Sequence, residues 1–259
     1  MGRDLSLTNG EYMIKQTESL LESLRMRGLS AVLNQRLKEA EEQELGYEDF
    51  LNVIFEDEML HRENEKVTRL LRKATLQQKA SLEAFETKPS RGIDKKTLND
   101  LGLMRFVRNG QNIILSGPTG VGKSYLACAI GNNVCRNGFT VHYFRMNTLI
   151  EKFALERAKN SYLNFIRRLT TASVLILDDF GIKPLEPPQY QDLYDVIDER
   201  GPEKTLIITT QLPIVNWSEV IDDPVTCEAI TDRATSNCIR IEMSGESYRQ
   251  KKKVQVDKD

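Results

Sequence analysis

Apolar residues in the first third of the chain recur every three or four positions, which is the spacing of amphipathic helices. Two such sets occur, one on each side of residue 46: Leu29, Val32, Leu33, Leu37 and Ala40, then Phe50, Leu51, Ile54, Phe55 and Met59. Gly28 and Gly46 interrupt the pattern and predict breaks between helical segments. Residues 85–100, with Pro89, Ser90 and Gly92, are typical of a connector. The pattern therefore predicts a small all-α N-terminal domain over residues 1–84, followed by that connector.

From residue 101 to residue 259 the pattern changes to short apolar runs rich in β-branched residues. Five of these runs predict strands, at 112–116, 140–144, 174–177, 205–210 and 239–243. Helix-like segments lie between most of them. Because strands that alternate with helices form a parallel sheet covered on both faces, we expect an α/β domain here.

Composition narrows the class of protein without identifying it. The chain has 259 residues, of which 40% are hydrophobic and 29% are charged, and its formal net charge is −2. Any nucleic-acid binding must therefore come from local basic patches. No apolar stretch approaches the roughly 18 residues of a membrane helix, and no secretory core precedes the helices, so we expect a cytoplasmic protein without a membrane partner. The four cysteines form no CxxC pair, which argues against a zinc site.

One segment matches the phosphate-binding pattern GxxxxGK(S/T), and it lies between an apolar strand and an apolar helix. Its glycines let the backbone bend so that the N–H groups surround phosphates, and the helix N-terminus adds positive charge. Lys123 is expected to reach the β- and γ-phosphates, and the Ser124 hydroxyl to ligate Mg²⁺. The pattern thus predicts ATP or GTP binding by Gly117, Pro118, Thr119, Gly120, Val121, Gly122, Lys123, Ser124 and the adjoining Tyr125.

A second acidic element follows the third predicted strand, which ends in Asp178 and Asp179. We expect Asp178 to hold Mg²⁺ through water and Asp179 to orient or deprotonate the attacking water. The next strand ends in Thr209, Thr210 and Gln211 at the same sheet edge, where a polar side chain can contact the γ-phosphate; an ordinary polar cluster is the alternative.

Arg233 lies just before the last predicted strand, outside the phosphate-binding loop. It is a candidate for an arginine finger, supplied by a neighbouring subunit to the transferring phosphate. A surface salt bridge with Asp232 or Glu228 explains it equally well.

The ordered motifs GPTGVGKS, LILDDFG, IITTQLP, ITDR and GESYR resemble those of AAA+ ATPases in the DnaC/IstB branch. The helical segment FLNVIFEDEMLHRENEKVTRLLRKATL is more similar to IstB-type transposition helper proteins than to DnaC helicase loaders. The resemblance spans nearly the whole chain. It implies ATP bound between subunits, assembly on DNA, and preparation of target DNA for a partner transposase. By the same resemblance Arg249 approaches the phosphates.

Two positions depart from the pattern of many AAA+ proteins. Asp179 stands where Glu is common and is one methylene shorter, which predicts slow hydrolysis. Gln211 stands where Asn is the commoner sensor, so Thr210 and Gln211 both remain candidates.

Residues 244–259 are too few for a helical lid. We therefore expect a neighbouring subunit or the N-terminal domain to cover the site, and ATP to promote a higher-order oligomer.

Two basic stretches are candidates for double-stranded DNA binding, mainly to phosphates and with little sequence preference. The first lies between the second and third predicted strands, at the place where related DnaA and DnaC ATPases carry a DNA-facing insertion; the second lies in the helical region. The candidate residues are Lys152, Arg157, Lys159, Arg167 and Arg168, then Arg62, Arg69, Arg72 and Lys73. For both stretches a solvated helix face is the simpler explanation.

Three other functions share some of these features. A replicative helicase loader like DnaC has the same nucleotide site and a different partner. A small-molecule kinase also uses GxxxxGK(S/T), but it has no evident use for residues 1–84. A nucleotide-independent DNA-packaging protein would bind DNA equally with and without ATP.

Overall fold

The computed structural model describes residues 9–87 and 91–248, with side chains from residue 13 onward. The chain divides into two compact units, residues 1–68 and 69–259. Helix α3 (Tyr47–Ala74) continues from the first unit into the second. The predicted domain boundary at residue 84 stays a prediction.

The first unit is helical and contains α1 (Asn9–Ser23), α2 (Arg27–Glu42) and the first part of α3. Its core is small and consists of Leu21, Leu29, Leu33 and Ile54. The buried Glu58 carboxylate accepts a hydrogen bond from the Leu29 backbone N–H at 3.0 Å, and so satisfies a donor at the start of α2. A Cβ on Gly28 would lie 2.3 Å from the His61 Cβ. Gly28 therefore lies within α2 at a close helix contact, and the prediction of a break at this glycine is wrong.

The second unit is built on a five-stranded parallel sheet in the order β2-β3-β4-β1-β5. The strands are β1 (Asn112–Ser116), β2 (Val141–Arg145), β3 (Val174–Phe180), β4 (Thr205–Thr210) and β5 (Cys238–Glu242). All five predicted strands are present, within one residue at their first positions. The strand β1 pairs with β4 and β5, so the loop that follows it emerges from the interior of the sheet.

Helices cover both faces of this sheet, as the alternation of strands and helices predicts. The first face packs against α4 (Lys95–Gly102), α5 (Arg105–Arg108) and α6 (Lys123–Arg136). The second packs against α7 (Met146–Ala158), α8 (Tyr162–Thr171), α9 (Pro187–Arg200) and α10 (Pro224–Thr235). Alternate residues of β1 point to opposite sides: Ile113 and Leu115 enter the first cluster, and Ile114 enters the second.

Candidate nucleotide-binding and hydrolysis site

The phosphate-binding loop lies between β1 and α6, where its sequence context predicts it. Gly117, Gly120 and Gly122 have φ angles of 136°, 86° and 107°, a region that favours glycine. At Gly117 a Cβ would also lie 2.0 Å from the Met243 carbonyl oxygen. Gly122 precedes α6 and has no side chain to cap it. The first N–H groups of a 14-residue helix therefore face the loop, a suitable environment for phosphate oxygens.

Lys123 is the first residue of α6 and is almost completely buried. Its ammonium donates to the carbonyl oxygens of Gly117 at 2.7 Å and Pro118 at 2.8 Å. These bonds hold the charge inside the loop. The Val121 side chain instead packs into the hydrophobic core, so that residue can meet a phosphate only through its backbone.

A cavity of about 550 Å³ opens at this loop. This volume lies within the range of roughly 300–1,000 Å³ for small-molecule sites. It brings together six residues predicted from the motif and two predicted from later strands. These are Thr119, Gly120, Gly122, Lys123, Ser124 and Tyr125, then Asp179 and Gln211.

Asp178 lies behind the cavity wall, fully buried on β3. Each of its carboxylate oxygens accepts one hydroxyl hydrogen bond: Oδ1 from Thr209 at 2.5 Å, and Oδ2 from Tyr143 at 2.6 Å. Both donors come from the adjacent strands, β4 and β2. A carboxylate fixed in this way and the Ser124 hydroxyl, which lines the cavity, are both oxygen ligands of the kind that Mg²⁺ prefers.

Asp179 has a φ angle of +62°, unusual for a residue other than glycine. The pairing of β3 with β4 is irregular between Leu177 and Phe180, so the strand turns here. The Asp179 N–H donates to the Thr209 hydroxyl at 2.9 Å. This turn places Asp179 in the cavity wall while its neighbour Asp178 remains in the sheet.

The two sensor candidates lie in different environments. Thr210 is fully buried, and its hydroxyl exchanges hydrogen bonds with the backbone of Leu212. Gln211 lines the cavity, and its Oε1 accepts a hydrogen bond from the Thr119 hydroxyl at 2.6 Å. The geometry therefore favours Gln211 as the residue that meets a phosphate.

The segment after β5 runs against the phosphate-binding loop. The Tyr248 N–H donates to the Gly120 carbonyl oxygen at 3.0 Å, and a Cβ on Gly120 would lie 2.1 Å from the Ser247 hydroxyl. The buried Arg91 guanidinium stacks 3.5 Å from the centre of the Tyr248 ring. Residues of the short C-terminal segment therefore contact the loop directly. Arg249, the next residue, lies outside the described residues.

Arg233 lies on α10 at the opposite edge of the sheet. Its backbone carbonyl accepts a hydrogen bond from the Asn112 side chain, at the first residue of β1. The guanidinium forms a 2.5 Å salt bridge with Asp198 of α9 rather than with Asp232 or Glu228. The phosphate-binding loop follows the last residue of β1, so β1 separates Arg233 from the cavity of its own chain.

Arg200 and Lys204 line the same opening at that edge as Arg233. Arg200 is buried, and its guanidinium donates to the carbonyl oxygens of Leu169 and Thr205. Burial lowers the pKa of Arg200 to about 10, so it stays charged at neutral pH. This edge of the sheet is therefore cationic as well.

Comparison with known proteins confirms what these motifs indicate. The model of the family "IstB-like ATP binding protein" matches residues 19–256. The chain belongs to this family. Membership confirms the predicted ATP-binding class of P-loop ATPase and the resemblance to IstB-type proteins.

Three relatives carry names that refer to insertion sequences. An insertion sequence ATP-binding protein of Sinorhizobium fredii is 34% identical over 88% of this chain and 94% of its own length. An ATP-binding protein in an insertion sequence of Mycobacterium tuberculosis is 33% identical, over 90% and 93%. The IS21 ATP-binding protein of Pseudomonas aeruginosa is 31% identical, over 92% and 90%.

Two solved structures share the fold over about two thirds of this chain. The DnaC helicase loader aligns with a TM-score of 0.54 and 19% identity, over 64% of this chain and 97% of its own. AMPPCP-bound DnaA from Aquifex aeolicus aligns with a TM-score of 0.55 and 18% identity, over 71% and 56%. At these identities the likeness concerns the fold alone, and it confirms the predicted parallel-sheet α/β fold.

The basic residues of the α7–α8 insertion differ in what they contact. Arg157 is paired with Asp192 and stacks on the Tyr162 ring. Lys152 and Arg168 each lie within 6 Å of the Phe165 ring centre, at 5.9 and 5.8 Å. Lys159 and Arg167 are exposed, and neither is paired with an acid in the described parts of the chain. These two are the best placed of the five to meet a phosphate.

The basic residues of α3 form the other candidate set. Arg62 pairs with Glu58 at 2.7 Å, four residues earlier on the helix. Arg69, Arg72 and Lys73 are exposed in the last turns of the helix.

Sequence reasoning missed several residues of the site. Gln78, Phe85 and Tyr248 line the cavity, although two of them come from the segment before the predicted ATPase domain. No motif marks Gln78 or Phe85, whereas Tyr248 belongs to the GESYR segment, where only Arg249 was singled out. Tyr143 was missed as well, but a tyrosine on a buried strand needs a hydrogen-bond partner for its hydroxyl, and the acid at the end of the next strand was the obvious candidate.

Residues 9–87 and 91–248 contain no cluster of three or more His, Cys, Asp or Glu residues that could hold a metal ion. No helix in these ranges is both long and apolar enough to cross a membrane.

Proposed function

We propose that this chain is an ATP-dependent DNA-binding assembly protein that hydrolyses ATP slowly. In insertion-sequence transposition it prepares target DNA for a partner transposase. The names of the relatives, which refer to ATP binding in insertion sequences, support this setting. One observation carries the mechanism: the ATP cavity and Arg233 lie at opposite edges of one sheet.

In this proposal the loop N–H groups and Lys123 bind the phosphates, and Asp179 and Gln211 position the attacking water. Ser124 and Asp178 would hold Mg²⁺, which would supply positive charge to balance that of the phosphates. Asp179 is short and is fixed by a strained backbone, so its carboxylate reaches the water only after the site closes. A steady turnover well above ~10 s⁻¹, the median for enzymes, would contradict slow hydrolysis.

Assembly follows from the position of Arg233. A guanidinium that cannot reach its own nucleotide can complete the site of a neighbour, and its salt bridge with Asp198 must then yield to phosphate. ATP would thus favour a higher-order oligomer because it occupies the shared site. We further propose that the helical residues 1–84 serve self-assembly and contacts with DNA or the transposase.

DNA binding is assigned to the α7–α8 insertion, with Lys159 and Arg167 as the main phosphate contacts. The segment 146–171 contains five basic and two acidic residues. Phosphates can replace the counterions of such a surface, so affinity should fall steeply with salt and depend little on sequence. The basic residues of α3 are a second, independent candidate.

The test is duplex-DNA binding at one stated salt concentration with ATP, with ADP and without nucleotide, for the wild type and Lys123→Ala. We expect tight, cooperative binding only with ATP and only in the wild type. Equal binding under all conditions would contradict the proposal and favour a passive DNA-packaging protein. Preference for single strands together with capture of a replicative helicase would instead identify a helicase loader.

The contribution of the α7–α8 surface is measured by the salt dependence of the same binding. Replacing both Lys159 and Arg167 by alanine should lower the slope of log affinity against log salt by ~2, since each phosphate contact contributes ~0.9. The matched control is Arg157→Ala, which removes a cation already paired with Asp192 and should leave the slope nearly unchanged. An unchanged slope in the double variant would move the contact to another surface.

A further inference from the structure

The hydrogen bonds around Asp178 reveal a role for a residue outside every recognised motif. This carboxylate is fully buried, and no salt bridge found among the described residues includes it. Both hydrogen bonds that it accepts come from hydroxyl groups, those of Thr209 and Tyr143. A buried carboxylate without a fixed counterion is costly unless a cation balances it.

Tyr143 is a permanent donor in this arrangement. The hydroxyl lies 2.6 Å from Asp178 Oδ2, and an ionised carboxylate can only accept, so Tyr143 supplies the proton of this hydrogen bond. The hydroxyl oxygen also lies 2.9 Å from the Gln77 Oε1. One proton cannot serve both acceptors, and the carboxylate is closer and charged, so the proton points to Asp178.

The position of the Tyr143 hydroxyl is itself fixed. Its ring lies in the hydrophobic cluster between the sheet and α6. The Gln77 Oε1 beside it also accepts a hydrogen bond from Arg145 Nε at 2.9 Å. Arg145 and Tyr143 both belong to β2, so the strand determines where the hydroxyl lies.

We infer that Tyr143 is a positioning residue for the Mg²⁺ that Asp178 holds with bound nucleotide. Each carboxylate oxygen has two acceptor sites. Tyr143 and Thr209 occupy one on each oxygen, which fixes the plane of the carboxylate and directs the remaining sites at the cation and its water. Without Tyr143, only Thr209 restrains the carboxylate. The inference rests on the proposed function, because only there is Asp178 a metal ligand.

Binding of a fluorescent ATP analogue to the full-length chain tests this role without measuring hydrolysis. Affinity is measured in EDTA and over a series of Mg²⁺ concentrations, for the wild type and Tyr143→Phe. The variant should need ~10–100-fold more Mg²⁺ for half-maximal tightening, the usual cost of losing a partner of a metal ligand. Its affinity in EDTA should stay within about twofold of the wild type, because Tyr143 does not line the cavity.

A matched control is available elsewhere in the same chain. The Tyr162 hydroxyl donates to Asp192 at 2.6 Å, the same distance as in the Tyr143–Asp178 pair. Tyr162→Phe removes the same kind of bond away from the cavity, so its Mg²⁺ midpoint should equal that of the wild type. The increase in melting temperature on adding Mg²⁺ to the ATP-bound protein provides a second readout, since it compares each variant with itself.

The outcomes separate this inference from the function on which it rests. If the nucleotide affinity of the wild type does not change with Mg²⁺ concentration, the proposed Mg²⁺-dependent ATP site itself is overturned. If the wild type responds to Mg²⁺ and Tyr143→Phe has the same Mg²⁺ concentration for half-maximal tightening, only the role of Tyr143 is overturned. Equal weakening in EDTA and in Mg²⁺ would also overturn it, because such a loss reflects the general structure of the site.

Discussion

The two edges of the parallel sheet differ in how they hold positive charge. At the carboxyl edge Lys123 is buried and bonded to backbone carbonyls, inside a loop whose shape depends on glycines. At the amino edge Arg233 is about one-third exposed and is paired with the carboxylate of Asp198, which is about half exposed. The first arrangement is suited to a phosphate-binding site that is already formed in the single chain. The second is suited to a cation that can leave its carboxylate for another anion.

The distance between these edges separates Arg233 from the phosphate-binding loop of its own chain. Strand β1 has five residues, and its ends are ~13 Å apart at the usual rise of about 3.3 Å per residue. Arg233 contacts the first of these residues, and the phosphate-binding loop follows the last. In the proposed mechanism, catalysis therefore depends on the Arg233 of a neighbouring chain.

The largest expected effect comes from removing the Arg233 guanidinium, which the proposal places in the nucleotide site of a neighbouring chain. Arg233→Ala should lower the assembled ATPase rate by ~10³-fold, the lower range for an arginine finger, because the transferring phosphate loses its cation. Nucleotide binding to the isolated chain should be unchanged.

Mixing provides the control for that prediction. Arg233→Ala and Lys123→Ala are each expected to be inactive, but a mixture should recover about a quarter of the wild-type rate, since one site in four combines an intact loop with an intact finger. The rate is measured on an equimolar mixture. No recovery in a mixture that assembles normally would place Arg233 outside the neighbour's site.

The next effect concerns the carboxyl edge alone. Lys123→Ala should weaken ATP binding by ~100-fold, because it removes a charge-assisted contact to the β- and γ-phosphates. Equilibrium binding of labelled ATP measures it. Lys204→Ala, which removes a cation from the amino edge, is the matched control and should leave this affinity unchanged in the unassembled chain.

Asp179 tests whether backbone strain shapes the carboxyl edge. At its φ of +62° alanine should destabilise the fold by ~1–2 kcal/mol relative to asparagine, because asparagine tolerates the left-handed region. Urea unfolding of Asp179→Ala and Asp179→Asn measures the difference, and Asp179→Gly should be as stable as the asparagine variant. All three substitutions should abolish hydrolysis, because each removes the carboxylate. Equal stability of the alanine and asparagine variants would show that the turn relaxes.

The smallest effect concerns the salt bridge at the amino edge. Asp198→Asn should change the free energy of unfolding by less than ~1 kcal/mol, since both partners are partly exposed. The assembled ATPase rate should rise modestly, because phosphate no longer competes with a carboxylate for Arg233. Titrating the rate against protein concentration detects this, and a fall in rate would show that Asp198 orients Arg233 for the reaction.

Much of the fold and of the nucleotide site could be predicted from local signals. The five strands are apolar runs flanked by polar turns. A parallel strand that is buried on both faces can be recognised from its own apolar sequence, without knowing which strands it pairs with. The loop Gly117–Ser124 carries its conformation in its glycines. Gly28 shows the opposite case, because a helix contact 33 residues away in sequence decides why glycine is needed there.

The sequence by itself determined the class of this protein: an α/β nucleotide-binding fold, the phosphate-binding loop, and the acids that end β3. These depend on interactions between residues close together in the chain, which a single sequence displays. Only the tertiary structure decided that Tyr143 and Thr209 fix Asp178, that Gln211 rather than Thr210 lines the cavity, and that Arg233 lies at the far edge. Each depends on which strands are neighbours and where a side chain points, and both are decided by packing across the whole sheet.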